Sequence, residues 1–206
     1  MFSTLIRMQS VILCLTCFTT VVYGYPDGAR VGACETMTPG HGAAVQTGPS
    51  PYRMTLNNER YSPGNRIAIT VSGGTFRGLL VQARPANCST VTFPTFSLMA
   101  NESNFQTLDC NSVANSAVTH TNRNDKTQAE FYWTPAASLG HVYFRATVVQ
   151  NFNTYWVGIQ SSVLSDTNSA DPVPDSVCDM QPNGGADLKS ALYIMVTMLV
   201  ALFLTV

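Results

Sequence analysis

Residues 66–84 read RIAITVSGGTFRGLLVQAR. In the first half Ile67, Ile69 and Val71 alternate with small or polar neighbours, the two-residue period of a strand with one buried face. Pro63-Gly64 before it and Gly73-Gly74 after it are turn formers that bound the run. Residues 76–84 resume the β-rich pattern and are predicted to lie beside the first strand as its antiparallel partner. Further runs of the same kind occur at 91–98, 117–122, 128–133, 142–150 and 154–159, and in the fourth of these Val142, Phe144, Ala146 and Val148 make one apolar face. About seven short strands with no amphipathic helix between them predict an all-β fold, an antiparallel β-sandwich.

Composition narrows the function classes. The chain has 206 residues, 45% hydrophobic and only 11% charged, with 11 Lys+Arg against 12 Asp+Glu. A net charge of -1 excludes a strongly basic nucleic-acid binder, because counterion release needs many phosphate contacts. The hydrophobic residues are concentrated at the two ends. Residues 1–24 carry one positive charge, Arg7, then an apolar run, then Val22-Tyr23-Gly24 with small residues at the cleavage-determining positions, the pattern of a secretory signal peptide cut after Gly24. Residues 191–206 are uncharged and apolar, and upstream lie the small residues Asn183-Gly184-Gly185 and a short polar spacer. That order is the one read for a glycosylphosphatidylinositol (GPI) anchor, with attachment expected at Asn183 and 184–206 removed as a propeptide. A single membrane-spanning helix is the alternative, disfavoured because no Lys or Arg follows the apolar run. The expected location is the extracellular face of the plasma membrane.

Cys14 and Cys17 fall in the signal peptide, which leaves Cys34, Cys88, Cys110 and Cys178. In an oxidising compartment four cysteines imply two disulfides, with three pairings open. Zinc is disfavoured, since no CxxC or HxxxH pair brings ligands together locally. Two sequons, at Asn87 and Asn101, are candidate glycosylation sites, with Asn101 preferred because Cys88 sits inside the other triplet. Residues 165–183 lose the alternation and gather Asp166, Asp171, Asp175 and Asp179 with prolines, which predicts an acidic stalk beyond a domain at 25–164. Cys178 is expected to pin this stalk to the body by pairing with Cys88.

The opening YPDGARVGACETMTPGHG, then Gln46, Ser50-Pro51-Tyr52, Tyr61-Ser62-Pro63-Gly64 and FRGLLVQAR, closely resembles the reeler domain found at the start of reelin and F-spondin. Leu108-Asp109-Cys110, Thr119-His120-Thr121, Lys126, Trp133-Thr134-Pro135 and Tyr155-Trp156 continue the resemblance in order, so that it covers nearly all of 25–163. It implies an immunoglobulin-like β-sandwich, with Cys34 and Cys110 at the positions of the family's shared disulfide. Single-domain members are similar to insect defence proteins, which implies a secreted, innate-immune role. Cys88, Cys178 and the apolar tail depart from that pattern.

No catalytic constellation is legible. His41, His120 and His141 have no HExxH or GxSxG around them, and His120, between two threonines in a strand, is expected to hydrogen-bond to the sheet. Ferric-chelate reductases also carry a reeler domain, but there the resemblance assigns the chemistry to haem-bearing membrane helices; no enzyme activity, metal or cofactor is therefore expected of this sequence. The positive clue is charge: between Tyr25 and Arg84 six arginines face three acids. Arginine's planar fork recognises sulfate, phosphate and carboxylate. Arg53, Arg60, Arg66, Arg77 and Arg84 are the candidate ligands for an extracellular polyanion such as a glycosaminoglycan, a lipopolysaccharide or a lipid headgroup. The alternative function is structural or adhesive, binding another protein through a sheet face.

Overall fold

A computed structural model describes residues 24–40, 42–87, 89–174 and 177. Residues 1–23 of the expected signal peptide, His41, Cys88, Cys178, Asn183 and the apolar tail lie outside the described residues, and with them the expected Cys88–Cys178 pairing. A single-turn 3-10 helix, Val31–Ala33, precedes eleven strands among the described residues: β1 (Arg53–Leu56), β2 (Arg60–Tyr61), β3 (Ile67–Phe76), β4 (Gly78–Pro85), β5 (Phe96–Leu98), β6 (Phe105–Cys110), β7 (Val113–His120), β8 (Lys126–Trp133), β9 (Val142–Asn151), β10 (Thr154–Gln160) and β11 (Ser165–Asp166). They form a four-stranded sheet in the order β1-β3-β8-β5 and a five-stranded sheet in the order β10-β9-β4-β7-β6. Every pairing in these two sheets is antiparallel.

The two sheets close over one core because alternate residues of each point inward. Ile67, Ile69 and Val71 of β3 meet Val142, Phe144, Ala146 and Val148 of β9 there, all at 0% exposure. Trp133 is the largest side chain in that core. Its ring meets Tyr61 and Phe144 edge-on at centroid distances of 5.3 and 5.6 Å, a geometry that aromatic quadrupoles favour.

The stretch 66–84 folds differently from the hairpin its sequence predicts. β3 pairs with β1 and β8, whereas β4 pairs with β7 and β9, so the chain changes sheets between the two strands. Gly73 makes the crossing feasible: its φ is 126°, and a Cβ there would stand 2.1 Å from the Pro51 carbonyl oxygen. The β3–β8 register also slips between Ser72 and Phe76, a bulge that bends the strand out of its own sheet. Of the run at 91–98 only Phe96–Leu98 is a strand.

The first residues of the expected acidic stalk belong to the body. Ser165–Asp166 runs parallel to Arg60–Tyr61, and Asp166 is 3% exposed. Its carboxylate accepts from the Ser138 hydroxyl, from Gly140 N at 3.0 Å and from Asn168 N at 2.9 Å. The Tyr61 hydroxyl lies between that carboxylate (3.1 Å) and the Gly140 carbonyl (2.7 Å) while accepting from Leu139 N. Burial pushes the Asp166 carboxyl up, and the hydrogen bonds from Ser138, Asn168, Gly140 and Tyr61 outweigh it, holding the group below the usual carboxylate range.

Candidate functional site

The central strands β4 and β9 of the five-stranded sheet are buried on both faces, which their polar residues alone would not predict. On the outward face of β4, Leu80, Gln82 and Arg84 are at most 4% exposed, as are Tyr143, Arg145 and Thr147 on β9. The cover is the irregular N-terminal segment, residues 25–40, laid across the strands as a strap. A Cys34–Cys110 disulfide fastens it to the end of β6, with Cα atoms 5.6 Å apart and a sequence separation of 76. In the chain-entropy description such a loop closure is worth on the order of 4 to 5 kcal/mol.

Hydrogen bonds fix the rest of the strap. Ala29 N donates to the Thr119 hydroxyl at 2.8 Å, and that hydroxyl donates to the Leu79 carbonyl at 2.8 Å. Gly28, at φ 124°, sits so close to β7 that a Cβ would fall 2.7 Å from the His120 carbonyl oxygen and 2.6 Å from Gln106 Nε2. The Thr147 hydroxyl donates to the Met37 carbonyl at 2.6 Å. His120 bonds to the sheet on one side and the strap on the other: Nδ1 accepts from Leu79 N at 3.2 Å, which leaves the Nε2 proton for the Tyr25 carbonyl at 3.2 Å. Burial, aided by the Lys126 charge, lowers its pKa against the opposing pull of the nearby Leu79 and Tyr25 carbonyl oxygens, which favours the neutral ring.

Arg84 is a structural residue, which corrects its assignment as a polyanion ligand. It is 1% exposed, and its guanidinium donates to the carbonyls of Cys34 (3.1 Å) and Glu35 (3.0 Å) and to Gln82 Oε1 (2.7 Å). Gln82 Nε2 completes the cradle by donating to the Cys34 carbonyl at 2.9 Å. Arg84 therefore holds the disulfide-bearing turn from beneath and has no surface to offer.

The remaining candidate arginines are exposed and dispersed. Arg77 pairs with Asp125 at 2.7 Å. Arg66 lies over the Tyr132 ring, 4.5 Å from its centroid, on the outer face of the four-stranded sheet. Arg53 shares that face at its far corner, opposite Ser72 on β3. The six residues from 66 to 72 put Arg53 and Arg66 about 20 Å apart at strand spacing. Arg60 stands on β2, outside both large sheets. Arg53, Arg60 and Arg66 have no ion-pair partner among the described residues. Among the sequons, Asn101 is exposed on the turn between β5 and β6, and the Asn87 side chain accepts from Ser89 N at 3.3 Å.

Between strap and sheet lies a pocket of about 240 Å³ that sequence reasoning missed. Leu80, Thr147, Val149 and His120 form its floor, and Ala29, Ala33 and Met37 its roof. The only sequence signal is the density of small residues in GARVGA, which permits close packing but does not say against what. Among the described residues no group of three His, Cys, Asp or Glu side chains is placed to hold a metal ion.

The family model of the reeler domain matches residues 32–172. The chain belongs to the reeler family. Its domain is similar to ferric-chelate reductase 1 of Mus musculus, 39% identical over 161 residues that make up 77% of this chain and 26% of that one. It is also 37% identical to a Bombyx mori protein named "Putative defense protein", over 66% of this chain and 82% of that one. The chain thus spans less than a third of the reductases it matches, and most of the insect protein. Among solved structures, the human F-spondin reeler domain superposes with a TM-score of 0.50 at 21% identity, covering 60% of this chain and 94% of that domain, a likeness of fold.

Proposed function

We propose that this reeler domain is a defence-related recognition module, held by a GPI anchor on the extracellular face of the plasma membrane, that acts by binding rather than turnover. The observation that carries the reading is the 37% identity to an insect protein named for defence, across 82% of that protein's length. The matched reductases extend far beyond the shared domain, so their names describe larger proteins of which this fold is about a quarter.

The ligand in this reading is an extended anionic glycan. Arg53 and Arg66 are exposed, free of carboxylate partners among the described residues and on one sheet face, which favours a ligand long enough to span about 20 Å over a compact headgroup. Their guanidinium groups would supply bidentate contacts to sulfate or carboxylate. Retention on immobilised heparin tests it. The protein should elute with added salt, and Arg53→Ala with Arg66→Ala should elute earlier. Retention unchanged at roughly half-molar salt, where screening is strong, would reject the electrostatic ligand. Phospholipase C treatment of expressing cells tests the anchor separately: release supports it, and persistent attachment favours the spanning helix.

A further inference from the structure

The pocket under the strap is not used by the polyanion reading, and its chemistry differs. Its lining is mostly apolar: beside the exposed Tyr25, Arg30 and Thr38, the polar side chains on it are Thr147 and His120, and both of these already have their partners. Thr147 donates to the Met37 carbonyl, and the two His120 nitrogens face Leu79 N and the Tyr25 carbonyl. A bound water needs two to four polar partners, and here those groups are occupied by the protein itself. Water inside is therefore poorly held, and an apolar group displaces it with gain.

The mouth mixes apolar groups with one ion pair. Tyr25 lines it at 46% exposure, and Val31, between the lining residues Arg30 and Gly32, is 52% exposed. Arg30 is paired there: its Nη2 donates to both carboxylate oxygens of Asp27 at 3.1 Å, and its guanidinium carbon lies 4.7 Å from the Tyr25 ring centroid. The cation at the mouth is thus already paired with a carboxylate, which leaves the apolar interior as the part of the site that sets its preference.

We propose that this pocket binds the terminal segment of an alkyl chain, with the polar end of the ligand left in water. With a methylene taken as about the size of a water, which fills about 30 Å³ of its liquid, the pocket of about 240 Å³ matches a segment of about eight carbons. A free fatty acid and the acyl end of a membrane lipid share this chemistry.

Calorimetric titration of the protein, purified after expression of the full chain, with hexanoate, octanoate, decanoate and dodecanoate below their micelle concentrations tests the proposal. Affinity should rise roughly fourfold per methylene and level off once the chain outgrows the pocket, near eight to ten carbons. The methyl resonances of Leu80 and Val149 should shift on binding while those of the sandwich core do not. Gly32→Leu and Gly40→Leu add side chains at lining positions where a Cβ meets nothing within 4 Å, so each should fold and lower affinity at least tenfold. Flotation with phosphatidylcholine vesicles separates the sources: co-flotation lost in Gly32→Leu assigns lipid acyl ends, and binding of the soluble acids alone assigns free fatty acid. Absence of saturable binding, a rise with no plateau through dodecanoate, or wild-type affinity in both glycine variants would overturn it.

Discussion

Replacing Asp166 with asparagine is expected to unfasten the C-terminal segment from the sandwich. The carboxylate accepts from Ser138, Gly140, Tyr61 and Asn168 at a position 3% exposed. An amide has one acceptor oxygen where the carboxylate has two, so whichever way it turns, its NH2 faces a donor. Hydrogen bonds to a charged group contribute about 1.5 to 3 kcal/mol each, and leaving a buried donor unmet costs about 1 to 3 kcal/mol. Two interactions lost or reversed, with some relaxation, give about 2 to 4 kcal/mol, or roughly 4 to 16 °C in Tm for a domain of this size. The pH dependence follows from the depressed carboxyl. Its stabilisation is fully present above the unfolded-state value of about 3.9 and is lost as pH falls through the lower folded value. Urea unfolding followed by tryptophan fluorescence, repeated from pH 7 to pH 2.5, measures both effects. Asp166→Asn should be less stable at pH 7 and should lose less on acidification than the wild type. A variant within about 0.5 kcal/mol of wild type at pH 7, with the same acid profile, would refute the reasoning.

Three further outcomes follow. Arg84→Met should lower stability by about 2 to 4 kcal/mol, because the Glu35 carbonyl and Gln82 Oε1 lose the guanidinium donor and the Cys34 carbonyl keeps only Gln82 Nε2, yet leave heparin retention unchanged; thermal denaturation and the heparin column check the two halves. Gly28→Ala should push the strap off β7, seen as faster hydrogen exchange at the Ala29 amide with the core strands still protected, at a cost of about 1 to 3 kcal/mol. The neutral His120 ring contributes stability that is present above the unfolded value of about 6.5 and lost as pH falls through its lower folded value. Strap amides should therefore exchange faster as pH drops from 6.5 towards 5, after correction for intrinsic rates, and His120→Gln should flatten that trend.

The sandwich was legible wherever burial is one-sided and local. Ile67, Ile69 and Val71 alternate as their exposure does, because one face of β3 meets the core and neighbouring sequence decides it, and Val142, Phe144, Ala146 and Val148 mark the core face of β9 although its other face is covered as well. The partner of a strand is a different matter. Two runs separated by Gly-Gly look like a hairpin, and only the close approach of Gly73 to Pro51 and the bulge beside it send β4 into the other sheet. Arg84 misled for a related reason: its strand's outward face is covered by a segment about 50 residues earlier in the chain, and no local pattern records that cover. Asp166 was hidden in an acidic, proline-bearing composition that describes its neighbours well and itself badly. The resemblance to the family carried the disulfide, whereas the pocket arises from two distant stretches meeting and left only a run of small residues as its trace.

The parallel pairing of β11 with β2 has a mechanical consequence. Ser165 N donates to the Glu59 carbonyl and Thr167 N to the Tyr61 carbonyl, both at 2.9 Å, while the Thr167 hydroxyl reaches the same carbonyl at 3.0 Å. Tension transmitted from residue 172 along the strand loads these bonds simultaneously, in shear, and not one after another as in the peeling of a hairpin. Under the proposed anchor, the clasp at Asp166 would shield the sandwich from a tether's drag.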